Sequence, residues 1–312
     1  MNQRWDAVKI PGVLGASLLA LTLTCGCSIK KFAINKLGDA LAQGGSTFSS
    51  DDDPELVKAA VPFSLKLIES LLAESPHHHG LLLAAASGFT QFAYAFVQPD
   101  ADELKDQDLA AADLLYARAR KLYRRARDYG LRGLEARHTG FATELRKQPK
   151  QAVQSATRRD VPLLFWTAAA WGAAISISKD DPAMIADQLI VEALIDRALE
   201  LDESFDHGAI HAFLISYEMV RQGAKGDAAE RARRHFDRAM TLANGNAAGP
   251  LVSLAESVSV EKQSRAEFES LLQRALVVNL NAAPSSRLAN LVAQRRARWL
   301  LARADELFFQ TK

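Results

Sequence analysis

The run VPLLFWTAAAWGAAISIS, residues 161–178, decides the fold. It contains no charged residue, and it lies between Asp160 and Lys179. At about 1.5 Å per residue it would barely cross a ~30 Å hydrocarbon core, and its many small residues would gain little from insertion. It has no alternation of period two, and its alanine content disfavours a strand. A helix that is apolar on all sides is typical of the centre of a larger helical stack. The run therefore predicts a buried central helix in an all-α array.

The remainder of the chain has the same helical periodicity. Helical segments are predicted at 55–74, 78–97, 106–129, 160–178, 184–201, 207–221, 228–243, 248–260, 264–279 and 286–309. The pattern is weaker over 130–157, which has room for one short helix near 139–147. Two Asp-Pro pairs, at 53–54 and 181–182, predict capped helix starts. Short turns join these helices, so we expect antiparallel helix pairs in one domain over 51–312.

A short motif repeats along the second half of the chain. It reads DRAL at 196–199, DRAM at 237–240 and QRAL at 273–276, so its alanines are 41 and 36 residues apart. Ala126 lies about two periods before the first copy. Tetratricopeptide repeats have a period of about 34 residues and a small residue where their helices meet. The spacing predicts a degenerate tetratricopeptide-repeat-like solenoid, although periodic alanine is also found in ordinary helical bundles.

The N-terminus has the layout of an export signal. Two basic residues precede an apolar run, which ends at small residues before a cysteine. Gly26 directly ahead of Cys27 is similar to a bacterial lipoprotein lipobox. We therefore predict a lipoprotein signal peptide over 1–26, lipidation of Cys27, and a lipidated segment and linker over 27–50. Cys25 offers a competing cleavage position, and an uncleaved N-terminal anchor is the alternative.

The residue after the lipidated cysteine bears on localisation. Ser28 is not acidic, and in a Gram-negative cell this favours an outer-membrane, periplasm-facing lipoprotein. An inner-membrane lipoprotein is the alternative. Removing residues 1–26 leaves 36 basic and 36 acidic residues, and this neutral balance argues against nucleic acid as a partner. Both cysteines lie at the lipobox, so the domain has no thiolate for a disulfide, a metal or a nucleophile.

Two histidine groups are the candidates for metal chemistry. The first, at 77–79, follows Pro76, and consecutive helical side chains point about 100° apart, so we interpret it as a helix start. His207 and His211 share one helix face, but Gly208 stands where a zinc hydrolase would have its glutamate base. We therefore predict no metal, no cofactor and no catalytic residue. A metal-dependent hydrolase using this pair is kept as an alternative.

Aromatic side chains are the candidates for ligand binding. Phe92, Tyr94, Phe165, Trp166 and Trp171 lie on two predicted helices whose faces could line an apolar cleft. Packing in the core is the alternative for each of them. Two basic runs, at 118–127 and 295–303, are interpreted as solvated helix faces, with docking of an acidic partner as the alternative.

Six segments together resemble a known family, the TRAP transporter T component (TatT) family. They are CSIKKFAINKLGDAL (27–41), FSSDDDPELV (48–57), ASGFTQFAYAFV (86–97), RARDYGLRGLE (125–135), DVPLLFWTAAAWGAAISISKD (160–180) and GAIHAFLISYE (208–218). The resemblance implies a periplasm-facing lipoprotein built from tetratricopeptide-like helix pairs. It also implies that the protein acts together with the periplasmic substrate-binding P component of a tripartite ATP-independent periplasmic transporter.

The same resemblance implies a homo-oligomer, a homotrimer in family members, and a cleft suited to hydrophobic ligands. Cys27 carries over as the lipidation site. The family has no established catalytic residues, so none is expected here. The alternative function is a general envelope scaffold of the tetratricopeptide type, without a role in transport.

Overall fold

A computed structural model describes Met1 and residues 35–39, 45–178 and 180–309. The lipidation site predicted at Cys27 lies outside the described residues, as does the signal peptide apart from Met1. Among the described residues the secondary structure is helical and contains no strand, which confirms the all-α prediction.

The α-helices follow one another closely along the chain. In order they are α1 (35–39), α2 (Gly45–Ser49), α3 (Pro54–Glu74), α4 (His79–Phe92), α5 (Gln98–Leu104), α6 (Leu109–Glu135), α7 (Phe141–Lys147), α8 (Pro149–Ala152), α9 (Val161–Ser176), α10 (Pro182–Ala186), α11 (Gln188–Leu201), α12 (Ala209–Tyr217), α13 (Ala228–Leu242), α14 (Gly249–Leu254), α15 (Arg265–Leu276), α16 (Arg287–Ala302) and α17 (Ala304–Leu307). Single π-helical turns at Ala93–Val97 and Ala255–Ser259 follow α4 and α14.

Aspartate caps start several of these helices. The Asp53 carboxylate accepts from two backbone N–H groups at the start of α3, and Asp181 does the same for α10. Both caps precede a proline, as the sequence predicts. Asp108 and Asp227 cap α6 and α13 in the same manner. Each cap satisfies backbone donors that the helix leaves without an internal partner.

The helices are arranged as stacked pairs. Four pairs are in contact: α4 with α6, α9 with α11, α12 with α13, and α14 with α15. The repeated alanine lies on the second helix of each pair, and all four copies are buried: Ala126, Ala198, Ala239 and Ala275. Because alanine has a small side chain, each copy lets a neighbouring helix come close. Each copy of the repeated motif thus lies at a buried position of a paired helix, and the tetratricopeptide-repeat-like solenoid stays a prediction.

The charge-free run forms α9, the buried helix that its composition predicts. It contacts α4, α6 and α11. The closest approach is to α6, where a Cβ built on Gly130 would lie 2.1 Å from the Thr167 hydroxyl oxygen. Trp171 is fully buried; its indole N–H donates to Asp187 at 3.1 Å, and the Arg127 guanidinium lies 4.9 Å from its ring centre.

The stretch with weak periodicity is organised around a buried carboxylate. Asp160 is 1% exposed and accepts from the Thr157 N–H at 2.8 Å, from Arg137 at 3.0 Å and from His138 at 3.1 Å. Burial alone would raise the pKa of Asp160, but these hydrogen bonds outweigh it and lower the pKa. The polar network therefore adds to the apolar contacts of this stretch, in which Phe141 and Leu145 on α7 are buried in the first core.

The buried apolar side chains form two clusters. The first core extends from α3 to α12 and the second from α12 to the region after α17. Helix α12 belongs to both, since Leu214 faces the first core and Ile215 the second. The last long helix, α16, returns to α2 and α3, and the Arg287 guanidinium donates to the Ser50 carbonyl at 3.0 Å. The array is therefore closed on itself.

One helical run in the described part of the chain is long and apolar enough to cross a membrane. It extends over His79–Leu104, and 56% of its most hydrophobic window is buried inside the protein. A helix covered in this way is typical of a protein core. The run includes both α4 and the first π-helical turn.

Candidate functional site

An exposed tyrosine marks a cleft between the two halves of the array. Tyr94 lies on the first π-helical turn and is 61% exposed. Desolvation by the surrounding protein nevertheless raises the pKa of its hydroxyl, and the negative charge of Glu256 raises it further. The charges of Arg296 and Asp102 also act on this hydroxyl, so side chains from both halves of the array lie close together around Tyr94. We call the surface formed by Tyr94, Asp102, Glu256 and Arg296 the central cleft.

Both π-helical turns contribute to the cleft. Tyr94 comes from the first and Glu256 from the second, so the two walls belong to opposite halves of the array. A π-helical turn has one extra residue, which changes the direction of the side chains that follow, and such turns are frequent at functional sites. A side chain from each irregular turn therefore lies at the central cleft.

The arginine of the cleft joins the two walls. Arg296 on α16 donates to Asp102 at 2.7 Å and forms an ion pair with Glu256. Burial opposes its charge, but the hydrogen bond and the charge of Glu256, together with Asp102, raise the pKa of Arg296. The guanidinium therefore stays charged, and it bridges α5 and the second π-helical turn.

Tyrosine hydroxyls support the acidic wall. Tyr116 donates to Asp102 at 2.6 Å, and the buried Tyr123 donates to Gln98 at 2.7 Å. Burial is the main cause that raises the pKa of both tyrosines, so both remain neutral hydrogen-bond donors. The bond from Tyr116 orients the Asp102 carboxylate beside the cleft, and the bond from Tyr123 orients the Gln98 amide on the same helix.

The five predicted cleft aromatics do not share one surface. Phe92 and Phe165 are each 6% exposed, Trp171 is fully buried, and Trp166 is partly buried against Phe165, with ring centres 4.9 Å apart. Tyr94 is the one whose ring is largely accessible. The structure therefore places Phe92, Phe165 and Trp171 in the first core and Tyr94 at the cleft.

The histidines have contacts other than those of a metal site. His78 caps α4, with its Nδ1 accepting from the Leu81 N–H at 3.2 Å. His211 contacts His235 through their Nδ1 atoms at 2.8 Å, and its other ring nitrogen lies 3.4 Å from Glu203. Among the described residues, no three His, Cys, Asp or Glu side chains are grouped to hold a metal ion.

The buried histidine pair lies between α12 and α13. Burial lowers the pKa of both rings, and that of His235 falls to about 4 because a charged His211 would also repel it. Both histidines are therefore neutral at pH 7, with one ring donating and the other accepting. The pair acts as a polar contact inside a helix–helix interface.

The basic run on α6 is largely occupied by contacts within the chain. Arg120 donates to the Ile177 carbonyl at 3.0 Å, and Arg124 lies 3.5 Å from Asp181. Arg118 and Arg125 lie over the Phe92 and Phe89 rings. Arg118, Lys121, Arg124 and Arg125 nevertheless remain exposed, as in a solvated helix face.

Two shallow grooves lie on the second half of the array. One of 220 Å³ is lined by an Arg233–Glu267 ion pair among other residues, and one of 430 Å³ lies beside Lys262 and Asp227. Their linings mix charged side chains with apolar ones, such as Phe236 and Leu271 in the first and Met219 and Val220 in the second. We place the candidate site at the central cleft because side chains from both halves of the array meet there.

The sequence analysis did not identify Asp102, Glu256 or Arg296 as site residues. Arg296 looked like part of a solvated helix face. A signal was nevertheless present, since the acidic segment 100–106 and the basic run 295–303 have opposite charges. Complementary runs of this kind predict a contact but not a cleft.

Comparison with known proteins identifies the family. Residues 50–308 match the profile of a family described as TRAP transporter T-component. The chain belongs to the TRAP transporter T-component family. It is also similar to an uncharacterized protein of Treponema pallidum (strain Nichols), with 29% identity over 304 residues that cover 92% of this chain and 94% of the relative.

Family membership supports an accessory role in a TRAP transporter and a membrane-associated or periplasmic location. The family is one of transporter accessory proteins and is not a known enzyme family.

Proposed function

We propose that this protein is an outer-membrane-anchored, periplasm-facing lipoprotein that serves a TRAP transporter as its T component. In this proposal it docks the periplasmic substrate-binding P component and holds a hydrophobic ligand in the central cleft. The observation that carries the proposal is an accessible aromatic ring, Tyr94, between the two halves of a chain from this family.

The anchor is a lipid on Cys27. A single acyl chain binds membranes weakly and reversibly, so firm anchoring requires more than one chain. The Cys27→Ala substitution should release the protein from the membrane fraction, whereas Cys25→Ala, one residue before Gly26, should leave it there. Fractionation followed by immunoblotting measures this. Retention of the Cys27→Ala chain in the membrane would contradict the anchor.

The partner is the P component, and an array of helix pairs offers an extended surface for it. Mild cross-linking in the native envelope, affinity purification and mass spectrometry test this partner. We expect a TRAP-type periplasmic binding protein. Recovery of envelope-assembly proteins in its place would favour the scaffold alternative.

The ligand is hydrophobic, and Tyr94 is the residue on which its binding is tested. N-phenyl-1-naphthylamine, an apolar dye that fluoresces in apolar surroundings, serves as the probe. Losing one aromatic contact of about 1 kcal/mol corresponds to roughly fivefold weaker binding, which we expect for Tyr94→Ala. Phe309→Ala removes another exposed aromatic ring, 87% exposed, and is the matched control. Equal affinity of the two variants would exclude the cleft as the site.

The protein acts as a homo-oligomer in this proposal, with the trimer as the form that its family implies. Exposed apolar side chains on α3, including Leu56 and Phe63, supply surface for such a contact. Sedimentation velocity measures the oligomeric state directly. A monomer at micromolar concentration would contradict the proposed assembly.

A further inference from the structure

The contact between α5 and α16 consists of ion pairs. Arg295 donates to Asp100 at 2.9 Å and to Glu103 at 2.8 Å. Arg296 reaches Asp102, and Arg303 lies 2.7 Å from Asp106. The partners are 192–197 residues apart in the sequence. Two arginines in the middle of α16 and Arg303, which follows its last residue, thus bind one acidic segment of the first half.

Apolar packing contributes little on the α5 side. Ala101 is the buried residue of α5. By contrast, α16 is attached to the second half by buried amides: Asn290 accepts from the Ala248 N–H at 2.9 Å, and Gln294 donates to the Leu276 carbonyl at 3.1 Å. Each helix therefore belongs to its own half, and the seam between them depends on charge.

The seam is placed so that it can open at one end. The N-terminal end of α16 is held on the first half by Arg287 and by Leu288, which packs against the first core. The ion pairs begin at Arg295 in the middle of the helix and continue to Arg303, just after its end. The two halves are also joined through α12 and the segment 218–227, where Gly223 and Gly226 have positive φ angles of 71° and 81° and space around them.

We propose that the ion pairs between segment 100–106 and α16 form a salt-sensitive latch. When closed, the latch holds the two halves together beside Tyr94, and when open it separates α5 from the C-terminal end of α16. Salt shortens the screening distance from about 10 Å at 0.1 M to about 3 Å at 1 M and acts most on the exposed members of the latch, such as Arg295 and Asp106, whose side chains are 38% and 60% exposed. The Arg296–Asp102 pair, whose side chains are 21% and 17% exposed, is screened less. The role of the latch in admitting a ligand rests on the proposed function, but its opening does not.

Distances between spin labels test the latch. The labels are attached through Lys105→Cys and Ala302→Cys, two exposed positions beside the seam, in a full chain that also carries Cys25→Ser and Cys27→Ser. Double electron–electron resonance is recorded at 50 mM and at 1 M NaCl. We expect one distance at low salt and a second, longer distance at high salt. This measurement uses a chain in which all the ion-pairing residues of the latch are unchanged.

A second test removes arginines of the latch by substitution and repeats the distance measurement. Arg295→Gln combined with Arg303→Gln should produce the longer distance already at 50 mM NaCl, with an unchanged circular dichroism spectrum. Arg298→Gln, which removes the same charge from an exposed position of α16, should keep the short distance. A single unchanged distance in high salt and in the double variant would overturn the latch. A latch that opens in a protein that does not bind the apolar dye would overturn only the proposed ligand.

Discussion

The packing of α6 against α9 leads to a sharp prediction for Gly130→Ala. In most helix interiors this change stabilises a protein by up to about 1 kcal/mol, since alanine is the better helix former. Here the new Cβ would lie 2.1 Å from the Thr167 hydroxyl oxygen and 3.1 Å from the Thr167 Cβ. Overpacking of a close-packed core costs about 1–3 kcal/mol. We expect a net loss of about 1–2 kcal/mol.

Urea unfolding followed by circular dichroism at 222 nm measures this loss. In a Thr167→Ala background the hydroxyl is gone, so Gly130→Ala should cost about 1 kcal/mol less, which a double-mutant cycle detects. Gly133→Ala is the matched control, because its Cβ would meet the methyl carbons of Leu163 at 2.8 and 2.9 Å, the end of a flexible side chain. A Gly130→Ala protein as stable as the wild type would refute the close contact.

Two further predictions concern buried polar groups. Because burial holds the pKa of His235 near 4 in the folded protein, stability should fall as the pH drops from about 6.5 to about 4. The full loss of unfolding free energy is about 3 kcal/mol, and His235→Gln should remove most of this pH dependence. Urea titrations at a series of pH values measure it. An equal dependence of stability on pH in the wild type and the variant would count against the buried pair. Asp160→Ala should lower the free energy of unfolding by about 2–3 kcal/mol, because Arg137 and the Thr157 N–H lose the carboxylate that accepts their hydrogen bonds. Asp52 is exposed, and Asp52→Ala should change stability by less than about 0.5 kcal/mol in the same titration.

The helical architecture follows from local features of the sequence. A period near 3.6 predicts the helices, and aspartates ahead of prolines predict two of their starts, since both signals depend on residues a few positions apart. The predicted pairing depends on alanines 36 and 41 residues apart. Several boundaries were wrong by four or more residues: α6 continues to Glu135, α12 ends at Tyr217, and the helix from His79 continues to Leu104 through a π-helical turn. A π-helical turn carries no local signal that propensity reasoning uses.

The candidate site depends on the tertiary structure. Phe92 and Tyr94 are two residues apart on one helical run, yet one is buried and the other accessible, because exposure depends on which elements pack nearby. By its spacing in the sequence, Arg296 belongs to a solvated helix face. In the structure α16 packs against the first half, and Arg296 contacts Asp102, which lies 194 residues earlier in the chain. The sequence by itself determined the helices and the charge balance. Only the closing of the array decided which of its charges and aromatic rings meet, since contacts between distant residues depend on how the pairs stack.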